Sequence, residues 1–401
     1  MHTKMKWWLV GVGLLALLAG HRLLFWEPSC NGHRLSEWVA LYGGYTYTDD
    51  HWATAREAED AIRQIGRPAI PFLVRWVSTE PREPVREICN DLTGWFARWI
   101  PSHSTLAVLR RRFTDGPVHR CYGAIAAFGV LGTNADSAVP ALASVAHLPV
   151  DNPWENHDPY WGLEHNALPN RRAAFALANI GPAALPILLD LATNGSANLR
   201  CDVLYLLSQM GTNALPALPL LLQSLNEYTN RAGWIAARTL GMLRLEPGVV
   251  IPALTNALER RKDLLLQFPA SEPRLYLQYR VLNSIAAYGS DARAALPAIL
   301  EWLESEDPYI PRVAAQALGK MTLDAEIVVP ALTKALKSRD SHLVAEAAKS
   351  LGAFGSASAS AIPALMELIQ RTNTLFYPSK HQANQALAQI TNALVLNETR
   401  R

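Results

Sequence analysis

Residues 147–170, HLPVDNPWENHDPYWGLEHNALPN, gather Trp154, His157, Asp158, Tyr160, Trp161, Glu164 and His165 within a dozen positions. Two imidazoles and two carboxylates are donor types that hold a divalent cation, so a metal site on His157, Asp158, Glu164 and His165 is one reading. Their spacing matches no established ligand pattern, and H-E-x-x-H is absent. A second reading makes Trp154, Tyr160 and Trp161, with His157 and Asp158 beside them, an anchor for a protein partner, because Trp and Tyr dominate interface hot spots. A third folds the same aromatics down onto neighbouring helices. The packing reading comes first; of the two functional readings partner binding stands ahead of a metal site, and neither a metal nor a cofactor is expected.

Other chemistry is sparse. Cys30, Cys89, Cys121 and Cys201 form no C-x-x-C, which leaves neither a zinc site nor a redox motif. In an exported body Cys89 and Cys121 are the only pair worth considering, and free buried thiols are expected. No phosphate-binding G-x-x-x-x-G-K-[ST] and no G-x-S-x-G elbow is present. The formal net charge is +2 over 401 residues, so nucleic acid is not expected as a ligand.

The elements that must carry these residues repeat. AIPFL surrounds Pro71, AVPAL Pro140, ALPIL Pro186, ALPAL Pro216, VIPAL Pro252, ALPAI Pro297, VVPAL Pro330 and AIPAL Pro363, with a degenerate WIPSH at Pro101. Upstream of each strong copy an Ala-rich amphipathic stretch runs into a glycine, as in RRAAFALANIG, RTLG and AAQALG. This predicts a helix A, a glycine in the left-handed region as its C-cap, a turn, and a helix B opened by proline at its first position. The aliphatic residue before proline is expected outside the helical region. Pro216 is read as the start of its helix B, with Pro219 in the first turn.

This pattern resembles HEAT repeats, particularly the short kind of the phycobilisome lyases, over residues 55–395. The resemblance rests on the glycine-to-proline phrase and on an arginine near many helix A starts: Arg120, Arg172, Arg200, Arg231, Arg280 and Arg312. It implies an all-α, right-handed α–α superhelix of about eight to nine helical hairpins, preceded by one N-terminal hydrophobic helix. The implied layout is 1–26 as a hydrophobic anchor or signal sequence, 27–54 as a linker and capping helix, and 55–401 as the solenoid with its insertion at 147–170. In the cap, Ser36 is expected as N-cap, with Trp38 and Leu41 as the apolar face. The enzymes of this architecture do not match. HEAT-like di-iron hydroxylases need recurring His-Glu pairs, and the HEAT-like DNA glycosylases a strongly basic face. A chromophore-handling motif of the lyases is absent.

The function implied is a non-enzymatic scaffold or adaptor for another protein or peptide, with an enzyme or metal-binding site in 147–170 as the alternative. Helix B is expected to line the binding face. Four and seven residues past each proline stand Asp190, then Asn256 with Glu259, Glu301 with Glu304, Lys334 with Lys337, and Glu367 with Gln370. These mixed-sign positions suit an extended protein partner. Residues 7–26 are about long enough to cross a bilayer, flanked by Trp7, Trp8 and Trp26. Lys4 and Lys6 favour a cytoplasmic N-terminus and a repeat body outside. Cleavage would release the body instead as a secreted or periplasmic protein. A hydrophobic N-terminus followed by a cap and short repeats is similar to bacterial membrane-anchored HEAT-repeat proteins.

Overall fold

A computed structural model describes residues 27–43, 49–79, 116–149, 168–227, 231–259, 272–371 and 377–399. The chain forms two units, one ending at Leu199 and one beginning at Arg200. Each is a stack of helical hairpins, so the fold is an all-α solenoid of HEAT-type pairs. The boundary falls inside the helix Ala197–Leu206. The hydrophobic segment 7–26, the weak repeat at Pro101 and Cys89 lie outside the described residues.

The first unit opens with a two-stranded hairpin, β1 (Ser29–Cys30) and β2 (His33–Arg34), paired Ser29 to Arg34 and Cys30 to His33. Asn31 and Gly32 both take positive φ, 50° and 80°, the geometry of a tight two-residue turn. Helix α1 (Leu35–Tyr42) follows. Its N-cap is Arg34, not Ser36, because the backbone N–H of Arg34 donates to Glu37 at 3.0 Å and the helix starts two residues early. Ser36 lies in the first turn, where its N–H and hydroxyl donate to Glu27. The buried face is Leu35 and Val39, while Leu41 is exposed. Three hairpins complete the described part of this unit: α2 (Asp49–Ile65) with α3 (Ile70–Ser78), α4 (Gly116–Leu131) with α5 (Val139–Ala146), and α6 (Pro169–Ile180) with α7 (Leu185–Asn194).

In the second unit helix A is α8 (Ala197–Leu206), α10 (Arg231–Leu243), α12 (Glu272–Ala287), α14 (Ile310–Met321) and α16 (Ser341–Ala353). Their partners are α9 (Leu218–Leu225), α11 (Pro247–Glu259), α13 (Leu296–Leu303), α15 (Ala325–Ala335) and α17 (Ile362–Arg371). A final helix, α18 (Tyr377–Glu398), packs on α16 and turns Asn384, Gln385 and Gln389 outward.

The prolines behave differently from the expectation. Helix B starts on the aliphatic residue, and proline is second: Ile70 has φ −51° and ψ −51°, Leu185 −55° and −43°, Leu296 −55° and −44°. The preceding turn is 3-10, and its dihedrals run straight into the α-helix. A helical residue before proline is disfavoured rather than forbidden, and proline's missing N–H is free of cost in a first turn. For the same reason Pro219, not Pro216, opens its helix: α9 begins at Leu218, and Pro216 lies in the 3-10 turn. Measured from Pro219, the steps to Pro186 and Pro252 are both 33 residues.

Two kinds of A-to-B break occur. The expected left-handed C-cap is corrected at Gly66, Gly181 and Gly211, whose ψ of −138°, −148° and −135° is open to glycine but is not left-handed helical; with Gly132, Gly289 and Gly355 they take positive φ. The RTLG and AAQALG glycines do not. Gly241 and Gly319 lie inside α10 and α14, and the left-handed positions there are Arg244 with Glu246, and Thr322 with Asp324. In these two hairpins helix B starts earlier, which places Pro252 and Pro330 within it.

Gly241 and Gly319 serve packing. A Cβ on Gly241 would sit 2.6 Å from Ser284 Cα, and one on Gly319 would sit 2.3 Å from Ser350 Oγ. The hydroxyls at these contacts form a ladder between successive A helices. Thr239 donates to the Leu204 carbonyl at 2.8 Å, Ser284 to Ala237 at 2.7 Å and Ser350 to Ala315 at 2.8 Å. Small residues thus set a close approach, and each buried hydroxyl finds a partner.

Arginine near the helix A starts is structural at one position. Arg172 is 2% exposed; its Nε donates to the Val77 carbonyl at 3.0 Å and its terminal nitrogen to Thr79 at 2.7 Å. It thereby closes the C-terminus of α3, whose last carbonyls have no partners within the helix. Cys30, Cys121 and Cys201 are free and buried. Burial pushes the Cys201 thiol up to about 11.

Candidate functional site

Positions four and seven past each helix B proline share one face of the helix, whether proline lies in its first turn or, as at Pro252 and Pro330, farther in. Asn256, Glu259, Glu301, Glu304, Lys334, Lys337 and Glu367 are all exposed, and Asp190 is half-exposed. One ion pair joins neighbouring rungs of the ridge in the second unit. Lys334 Nζ lies 2.7 Å from Glu304 Oε1, with both side chains mostly in solvent. The fourth residue past one proline thus meets the seventh past the previous one. The same relation matches Lys337 with Glu367, of opposite charge. Placing the helix start at Pro219 adds a rung that the proline at 216 had hidden, with exposed Gln223 and Asn226.

In the first unit the corresponding pair is His147 with Asp190. His147 Nε2 lies 2.7 Å from Asp190 Oδ2, and its Nδ1 lies 2.7 Å from the Ala143 carbonyl. Both ring nitrogens face acceptors, so the doubly protonated ring satisfies both. The hydrogen bond to Asp190, then the Ala143 carbonyl, raises the His147 pKa above its ordinary value. The hydrogen bonds from His147 and Asn194 lower that of Asp190. Sequence reasoning passed over His147 as a ridge residue, although it stands seven past Pro140.

Beside this pair is a cavity of about 210 Å3 lined by His147, Pro149, Asn170, Asp190 and Asn194. Pro149, on its wall, is the last described residue before 150–167. The candidate residues Trp154, His157, Asp158, Tyr160, Trp161, Glu164 and His165 belong to that stretch and lie outside the described residues. Among the described residues no group of three or more His, Cys, Asp and Glu could hold a metal ion. None of the described helices is long and apolar enough to cross a membrane.

Helix A of the second unit carries a set of contacts that sequence reasoning did not assemble. The Arg238 guanidinium lies 4.9 Å from the Tyr205 ring centre, that of Arg280 5.7 Å from Trp234 and 5.5 Å from Tyr279, and that of Arg312 5.1 Å from Tyr309. Arg280 and Arg312 were visible as a repeat feature; Arg238 was not, and it lies one repeat from its ring.

Residues 296–388 match the family model for HEAT repeats, and residues 170–194 the model for PBS lyase HEAT-like repeats. No curated protein matches the chain. Among solved structures, Kap121p is 15% identical over 90% of this chain and 40% of its own, with a TM-score of 0.48. The karyopherin Kap121p bound to the extreme C-terminus of the protein phosphatase Cdc14p is 13% identical over 89% of this chain, with a TM-score of 0.49. Importin beta is 14% identical over 89% of this chain and 47% of its own, at 0.47. The chain therefore spans less than half the length of these structures. Its helical hairpins and the two family matches support a HEAT-repeat family.

Proposed function

We propose that the chain is a membrane-tethered, non-enzymatic scaffold, of the bacterial membrane-anchored HEAT-repeat kind, that binds another protein or peptide through the helix B ridge and the 147–170 insertion. The observation that carries this is the register of the ridge. The same two positions past each helix B proline stay in solvent from rung to rung, while the core behind them is closed by apolar packing and by hydroxyl-to-carbonyl bonds. A face that is polar, periodic and without a packing role suits an extended partner laid across several rungs. The cavity beside His147 and Asp190 adds a concave element to the first unit. Residues 7–26 supply the tether, with the N-terminus cytoplasmic and the repeats outside.

The test is recovery of partners on tagged full-length protein from mildly solubilised membranes. One protein recovered near stoichiometrically, and lost when the charges of Glu301, Glu304, Lys334 and Lys337 are reversed together with deletion of 150–167, supports the reading. Recovery unchanged by both alterations overturns it.

A further inference from the structure

The last carbonyls of α3 lack donors within the helix, and side chains supply them. The Ser78 hydroxyl donates to the Val74 carbonyl at 2.7 Å, the Thr79 hydroxyl to Arg75 at 2.6 Å and the Cys121 thiol to Trp76 at 3.1 Å. Arg172 serves Val77 and Thr79. Arg120, next to Cys121 on α4, makes none of these bonds. Its Nε is buried and has no hydrogen-bond partner. A desolvated donor left without an acceptor costs the protein the full penalty of leaving water, so this side chain is not explained by the packing of α3.

Arg120 instead lines a pocket of about 320 Å3 in the first unit, with Phe72, Arg75 and Trp76 of α3 and with Glu27 and Ser36 beside α1. That volume is at the lower end of the ~300–1,000 Å3 that ligand sites span. One wall is apolar: the Phe72 and Trp76 rings, one turn apart, have centres 6.2 Å apart and are tilted by 50°. Both residues are only half-buried, and Arg75 is exposed. The single carboxylate in the lining is already engaged. One Glu27 oxygen accepts from the Ser36 backbone N–H, and the other from the Ser36 hydroxyl at 2.9 Å.

We infer that this pocket binds a monocarboxylate carried on a flat apolar group. The Nε edge of a guanidinium presents two parallel N–H groups, the fork that a carboxylate accepts from both oxygens. The apolar group would lie against Phe72 and Trp76, where aromatic surfaces pair edge to face or offset. The charge on Glu27 selects against a phosphate monoester, since at equal distance a dianion is repelled twice as strongly as a monoanion. An aryl-substituted free acid and the C-terminal aromatic residue of a peptide share this chemistry. The inference goes beyond the scaffold reading and uses none of the ridge residues.

The test is a ligand-observed proton NMR titration of full-length protein in mild detergent with phenylacetate, phenylacetamide and phenyl phosphate. Phenylacetate is expected to bind saturably, about tenfold more tightly than the amide, which lacks the charge-assisted bonds, and more tightly than the phosphate. Arg120→Met keeps the apolar stem and should erase the advantage of acid over amide. Arg120→Lys keeps the charge, loses the fork and should reduce that advantage. Arg67→Gln, exposed and outside the pocket, should leave binding unchanged. The urea midpoint of Arg120→Met should not fall below that of the parent, because its Nε has no partner to lose. Equal binding of acid and amide, tighter binding of phenyl phosphate, an acid preference that survives Arg120→Met, or a lowered midpoint for that variant would each overturn the inference. Gly-Gly-Phe then separates the two sources. Tighter binding of the tripeptide than of phenylacetate, lost on amidation of its C-terminus, assigns the ligand to a peptide end; tighter binding of phenylacetate assigns it to a free acid. If all these probes fail while the ridge-dependent partner is still recovered from membranes, this inference falls and the scaffold reading stands.

Discussion

Replacing Gly319 by alanine sets two known effects against each other. In a helix interior the change normally gains up to about 1 kcal/mol, because alanine loses less backbone freedom on folding. Here the new Cβ would lie 2.3 Å from Ser350 Oγ, 2.6 Å from its Cβ and 2.8 Å from its Cα. The last of these is backbone and has no rotamer to escape into. α14 and α16 must separate, which stretches the 2.8 Å bond from Ser350 to Ala315. Overpacking of this kind costs about 1–3 kcal/mol. With contacts this short and a backbone atom among them, the upper part of that range applies, for a net loss of about 1–2 kcal/mol. Gly248 is the control: it lies in α11, its φ is not positive, and nothing stands within 4 Å of its added Cβ. Gly248→Ala should therefore stabilise by up to about 1 kcal/mol. Urea unfolding followed by far-ultraviolet circular dichroism gives both shifts in midpoint on one chain. Ser350→Ala in the Gly319→Ala background removes only the Oγ contact, so it should recover part of the loss. A Gly319→Ala midpoint at or above that of the parent would refute the close-approach argument.

Arg172→Met should destabilise by about 3 kcal/mol, because the Val77 and Thr79 carbonyls lose their donors in a buried site; hydrogen exchange at the C-terminus of α3 should rise with it. An Arg172→Met chain as stable as the parent would remove arginine from its capping role. In proton NMR, His147 should titrate above 6.5, and Asp190→Asn should bring it down. The raised His147 pKa contributes stability below pH 6.5 that is lost as pH climbs through the raised value. The lowered Asp190 pKa contributes above pH 3.8 and is lost as pH falls through the lowered value, so the pair is strongest between the two. Both side chains are nearly half exposed, which keeps the effect under about 1 kcal/mol. Native-state labelling with a thiol reagent at neutral pH should spare Cys30, Cys121 and Cys201 and reach all three after unfolding. Rapid native modification of Cys201 would contradict its burial.

Proline and glycine made the fold legible, since they act locally and recur. The error at Pro216 has a local cause: Leu215 precedes it as Leu218 precedes Pro219, and both satisfy the phrase. The length of the break separates them, because GTNALPALP aligns residue for residue with GTNADSAVP, whose proline is Pro140. Gly241 and Gly319 were read as caps because composition does not say whether a glycine is there for its φ or for its missing side chain. Contact with Ser284 and Ser350 decides that, and those partners come from the next repeat. The ridge followed from counting past each proline. The arginine and aromatic stacks did not, since Arg280 and Trp234 stand 46 residues apart. Membrane tethering and the insertion rest on residues outside those described.

The two kinds of break alternate along the second unit: glycine at Gly211, the paired positions at Arg244 and Glu246, glycine at Gly289, the pair at Thr322 and Asp324, glycine at Gly355. Gly211 to Gly289, Arg244 to Thr322 and Glu246 to Asp324 are each 78 residues. Two hairpins, rather than one, are therefore the period of the breaks in this stretch, although the step from Gly289 to Gly355 is 66 residues. Excising two adjacent hairpins rejoins unlike breaks in the order that neighbours already tolerate. Excising one sets two like breaks side by side, a junction that occurs nowhere in this described stretch. Shortened forms of the array should therefore survive in steps of a pair.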